Sequence, residues 1–174
     1  MGCLLTTGFT SQVCGDAAWG GIAPKFYLLN KDNFVTKYDG TGNPTGFTVT
    51  GSDKAFLFEA VNETASFEEK FTLTDYGNMI VQTLGYVVIN LTPAQKAIVE
   101  KKRFARLMAI IKYDESPDLY ELIGDSGTGL KMTAGDAASG KKHTDAKGLS
   151  LAFEGSNKTY AKSIPFAAFS SLIA

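Results

Sequence analysis

Few residues of this chain have the types and spacing that chemistry requires. Gly124-Asp125-Ser126-Gly127 carries the letters that surround a nucleophilic serine. Such a serine needs a histidine base oriented by a carboxylate, and an oxyanion hole. The only histidine, His143, follows the serine, whereas the chymotrypsin-like order places it well before. A Gly-rich turn after a strand calls for the same letters without any catalysis. His143 is flanked by Lys141, Lys142, Thr144 and Asp145, a polar loop. One histidine with Cys3 and Cys14 near the other end cannot assemble a zinc site of soft ligands within the chain. Asp32-Asn33 and Asp39-Gly40 lack the ligand spacing of an EF-hand, and the glycine clusters at 40–46 and 124–129 do not open a helix after a strand as phosphate cradles do. The expectation is no catalytic residue, no cofactor and no metal.

Composition excludes further classes. A net charge of −1 gives no field to hold nucleic acid or an acidic membrane, and the cations of Lys101-Lys102-Arg103 and Lys141-Lys142 read as solvated surface. No apolar run is long enough to span a membrane, and the N-terminal stretch lacks the basic and apolar regions of a secretory signal. Reduced thiols are therefore expected at Cys3 and Cys14, and the sequons at Asn62, Asn90 and Asn157 read as chance. The opening Met1-Gly2-Cys3-Leu4-Leu5-Thr6 fits a loose myristoylation pattern, but no polybasic patch follows to supply a second membrane signal.

The elements that would position any site are mainly strands. At 44% apolar and 20% charged residues over 174 positions, the chain has the makings of one globular domain. Residues 1–23, rich in Gly, Ala and Thr, read as an extended N-terminal arm, with 24–174 as a single β-rich assembly domain. Strand-like runs follow at 25–29, 34–38, 47–50, 56–58, 67–74 and 79–89, the last with Gly85 as an expected bulge or kink. In 67–74 the apolar face of Phe67, Phe71 and Leu73 is broken only by Glu69.

Thr92-Pro93-Ala94-Gln95 is a capping box with proline at the first helical position, which predicts one flanking helix over about 93–103 with Ala94, Ala97 and Ile98 at helical spacing. A hairpin is predicted around 114–118, a Gly, Ser, Asp and Lys rich stretch at 124–148, and a strand at 149–154. The fold class is mainly β, an antiparallel sandwich or barrel with one helix. The apolar C-terminal stretch from Ile164 to Ala174 predicts docking, on the chain's own core or on a neighbour. The arm, with Phe9 and Trp19, predicts docking on a neighbour.

The order of these features resembles that of the tail-tube and related ring-forming structural proteins of tailed bacteriophages, particularly those infecting Bacteroidetes. The pieces are a Cys-bearing arm leading to Gly20-Gly21-Ile22 and Phe26-Tyr27-Leu28-Leu29, then Phe67-Glu68-Glu69-Lys70-Phe71, then the capped helix from Pro93. After these come the strand at 106–112, Leu119-Tyr120-Glu121-Leu122-Ile123-Gly124 before a Gly-rich turn, Ser139-Gly140, and Asp145-Ala146-Lys147-Gly148-Leu149-Ser150-Leu151. The resemblance implies a virion protein assembled in the host cytoplasm, with subunits in rings, commonly hexamers, stacked around a channel that DNA traverses without specific binding. Its partners would be copies of itself and other virion tail proteins, with no membrane. Loops and arms bridge such rings, so Phe9, Trp19, Asp39, Asn43, Phe169 and Leu172 are the expected subunit contacts. A head-to-tail connector ring is the nearest alternative. A carbohydrate-binding or adhesin β-domain, using Trp19 and the tyrosines as stacking platforms, is the alternative of another class.

Overall fold

The computed structural model describes residues 22–74, 77–113, 120–138 and 148–174. Phe9, Trp19, both cysteines, His143 and the predicted hairpin turn at 114–118 lie outside them.

The described residues are mainly β, in three antiparallel sheets with one α-helix. Strands β1 (Lys25–Asn30), β4 (Phe56–Glu59), β7 (Leu107–Lys112), β8 (Tyr120–Ile123) and β11 (Lys162–Ile164) form a five-stranded sheet in the order β11-β8-β7-β1-β4. Strands β5 (Ser66–Thr74), β6 (Gly77–Ile89), β9 (Lys131–Ala138) and β10 (Gly148–Asn157) form a second sheet in the order β5-β6-β10-β9. The hairpin of β2 (Phe34–Tyr38) and β3 (Pro44–Val49) is the third.

The five-stranded sheet is buried on both faces. Strand β7, Leu-Met-Ala-Ile-Ile-Lys, is apolar without alternation because it lies mid-sheet between two cores. Its Leu107, Ala109 and Ile111 join Phe26, Leu84, Tyr86, Leu151 and Phe153 against the four-stranded sheet. Its Met108 and Ile110 join Leu29, Phe34, Leu122, Ile164 and Phe169 on the other side, under the β2–β3 hairpin and the C-terminal turns.

Helix α1 (Pro93–Lys102) begins as its sequence requires. The Thr92 hydroxyl accepts from Gln95 N, and the Gln95 side chain accepts from Thr92 N. The inward face differs from the sequence expectation: Ala94, Ala97 and Ile98 are exposed, whereas Val99 and Lys102, one turn apart, meet the sandwich together with Ala105. The helix leans on the sandwich over a single turn, so a long apolar stripe is not needed.

Two other expectations are corrected, and an alternative left open by the sequence is decided. Gly85 makes no bulge: β6 keeps register with both neighbours through Ser66↔Gly85 and Ala152↔Gly85. The register shift falls instead in β9, opposite Ala152 and Phe153. Within the stretch read as turn-rich, Lys131–Ala138 is a strand, poor in β-branched residues and held at the sheet edge by pairing with β10. The C-terminal stretch docks on its own chain: Phe169 is fully buried against Tyr27, Tyr120 and Phe166, and Ala55 and Ala174 exchange backbone contacts across to Leu172 and Ala55.

Candidate functional site

The Gly124-Asp125-Ser126-Gly127 loop uses its polar groups to tie elements together. Ser126 Oγ accepts from the backbone N–H groups of Lys158 and Thr159, each at 3.2 Å, and bonds the Thr159 hydroxyl. Asp125 Oδ1 accepts from the Thr36 hydroxyl at 2.7 Å, and the Asp125 carbonyl accepts from Lys31 Nζ. Gly127 is required by space: a Cβ there would lie 1.9 Å from the Ser156 carbonyl oxygen. The loop is thus pressed onto the end of β10, which explains the letters by packing.

A buried polar network lies behind it. Gln82, 2% exposed, accepts from Gly124 N at 2.8 Å and from Asn157 Nδ2 at 2.7 Å, and its own amide donates to Glu69. Glu69, the residue that interrupts an apolar strand face, also accepts from Ala161 N, so it links β5 to the segment entering β11. Nearby, the Tyr113 hydroxyl donates to Glu121 at 2.9 Å. Burial, then the Glu69 charge, raises the Glu121 carboxyl above its ordinary range despite that hydrogen bond. Burial and Glu121 raise the Tyr113 phenol. Nothing in the sequence pattern marks this cluster except the misplaced Glu69.

Lys102 is the buried end of α1. Its Nζ lies 3.0 Å from the Phe58 ring centroid and has no hydrogen-bond partner among the described residues. Burial lowers its pKa to about 7. The basic triplet therefore divides, with Lys101 and Arg103 in solvent and Lys102 inside.

Of the expected contact residues, Asp39 and Asn43 close one exposed loop. Asp39 Oδ1 accepts from Thr41 N, the Thr41 hydroxyl and Asn43 N, and these bonds, the Thr41 hydroxyl first, hold its carboxyl below the usual range. Lys162 Nζ caps the loop through the Gly42 carbonyl. Phe169 lies within the chain, Leu172 is half-buried beside it, and the pair is remote in role from the loop.

The feature best suited to self-association is the four-stranded sheet. Both its edges, β5 and β9, are unpaired among the described residues and have similar lengths of 9 and 8 residues. Its face away from the core carries Glu68, Lys70, Thr83, Ser150, Glu154, Lys131 and Asp136, with nearly balanced charge, around an apolar row of Met79, Val81, Val87 and Ile89 along β6. One row crosses the whole sheet as Glu68–Thr83–Glu154–Lys131, with an acid at one edge and a base at the other. At the free end of the β5–β6 hairpin, Phe71 and Leu73 are 54% and 74% exposed.

Comparison with protein-family models, with curated proteins and with solved structures finds no match to the chain. The fold itself defines the class: a mainly β sandwich with a flanking helix, which no helix among the described residues is long and apolar enough to extend across a membrane.

Proposed function

We propose that the chain is a structural subunit of a tailed-phage virion, assembling edge to edge into rings, hexameric as the sequence resemblance implies, that stack into a tail tube. The observation that carries this reading is the pair of free edges on the four-stranded sheet. Four antiparallel strands place β5 and β9 in opposite directions, so β9 of one copy meets β5 of the next antiparallel in any head-to-tail ring. Ring closure would cover the backbone groups that free edges otherwise offer for uncontrolled pairing. In an unshifted register Lys131 meets Glu68 of the neighbour, opposite charges on directly facing residues. The outer face, where nearly balanced charges flank the apolar row of β6, offers no basic surface by which to grip DNA passing along it. The exposed Asp39–Asn43 loop is a candidate for contact between rings.

Negative-stain imaging and light scattering of concentrated protein test this. Rings and stacked tubes are expected, and rings that never stack would favour a connector. Lys131→Glu alone and Glu68→Lys alone should weaken assembly, and the double reversal should restore it. A strict monomer at all concentrations, folded and with both edges intact, overturns the reading.

A further inference from the structure

Between α1 and the β9–β10 half of the four-stranded sheet runs an open groove of about 930 Å3. Val88, Met132, Leu149 and Leu151 line it from the sheet and Val99 from the helix. These side chains belong to the sandwich core or pack against it, so the groove is an opening into core surface. An apolar cleft of this size that no described residue fills marks a binding surface.

We propose that residues 1–21 of the same chain lie in this groove. Of the segments outside the described residues, 139–147 reads Ser-Gly-Lys-Lys-His-Thr-Asp-Ala-Lys, 114–119 is mostly acidic and polar, and 75–76 is Asp-Tyr. Only 1–21 supplies several large apolar side chains, Leu4, Leu5, Phe9, Val13 and Trp19, among small residues that fit a narrow cleft. Its one charged side chain is Asp16, and the helix rim of the groove carries Lys96 and Arg103 against a single acid, Glu100.

The point of departure is close by. The carbonyl of Pro24 accepts from Ala60 N, and the next residue, Val61, donates to Val87, the neighbour of groove-lining Val88. An extended stretch of 21 residues reaches about 70 Å, far more than this needs. This seat is made within one chain and stands apart from assembly into rings.

Trp19 is the only tryptophan, so its fluorescence reports the arm alone. In the full chain its emission should be blue-shifted, and several-fold less quenched by acrylamide, than in a peptide of residues 1–21. Ala137→Glu, which puts a charge on an exposed groove position without emptying the core, should move both values toward the peptide's while far-UV circular dichroism is unchanged. In a Cys3→Ser background, Ala137→Cys or Lys96→Cys should form a disulfide with Cys14 within one chain, seen as a faster-migrating monomer on non-reducing gels. Peptide-like Trp19 fluorescence in the wild type overturns the proposal. So does emission unmoved by Ala137→Glu, absence of a disulfide at both positions, or a product that is only a cross-linked dimer, which would assign the groove to a second copy's arm.

Discussion

Replacing Lys102 by methionine should make the protein more stable, and more so in acid than in base. The side chain is 8% exposed, its ammonium has no hydrogen-bond partner among the described residues, and burial brings its pKa from 10.5 to about 7. At about 1.4 kcal/mol for each decade of proton affinity, that drop corresponds to about 5 kcal/mol of penalty for the charged form. The sign follows from the direction of the shift: between about pH 7 and 10.5 the unfolded chain holds the proton that the folded chain has released, so stability rises with pH across that window. Below pH 7 both states are charged and the whole penalty is felt. Urea unfolding of wild type and Lys102→Met at pH 6, 8 and 10 isolates the effect, because other titrating groups cancel in the difference. The variant should lead by about 5 kcal/mol at pH 6, with the lead shrinking as pH rises. A pH-independent difference, or a variant less stable at pH 6, would refute the reasoning.

Other outcomes follow from the same contacts. Gly127→Ala should cost about 3 kcal/mol, since its Cβ would meet the Ser156 carbonyl at 1.9 Å, and thermal melting would show it; an unchanged melt would mean the loop is not pressed on β10. Gln82→Leu should cost about 2 kcal/mol in denaturant unfolding by orphaning Gly124 N and taking one partner each from Asn157 Nδ2 and the Glu69 carboxylate. Glu121 titrates above its ordinary 4.5 in the fold, so the unfolded chain loses that proton first and wild-type stability falls as pH rises past 4.5. Glu121→Gln, still able to accept from Tyr113 and facing Glu69 without charge, should gain on wild type between pH 4 and 7 in the same assay. Phe169→Ala should cost about 3 to 5 kcal/mol by opening the second core.

What could be read from the sequence was local. Thr92-Pro93-Ala94-Gln95 specifies its cap within four residues, and the alternations of β5 and β10 declare themselves because one face of each meets a core. Strand β9 was hidden because Lys131–Ala138 has one large apolar side chain, Met132, and becomes a strand through β10. The strand order β11-β8-β7-β1-β4 joins residues far apart in the chain, which no periodicity encodes. Lys102 looked like solvated surface. Its burial depends on Phe58 arriving from β4. Glu69 was visible as an anomaly, but its partners Gln82 and Ala161 were not. The apolar C-terminal stretch announced docking, and only the Tyr27, Tyr120 and Phe166 rings around Phe169 say where.

The placement of the C-terminal stretch also sets an order of events during synthesis. Strand β11 completes one edge of the five-stranded sheet, and Phe169 fills the second core beneath the β2–β3 hairpin, whose strands emerge more than a hundred residues earlier. Until residues 162–174 leave the ribosome, Leu29, Met108 and Ile110 stay open to water on that side. A nascent chain in that state is a substrate for chaperones and proteases, and residues 162–174 are the ones that release it.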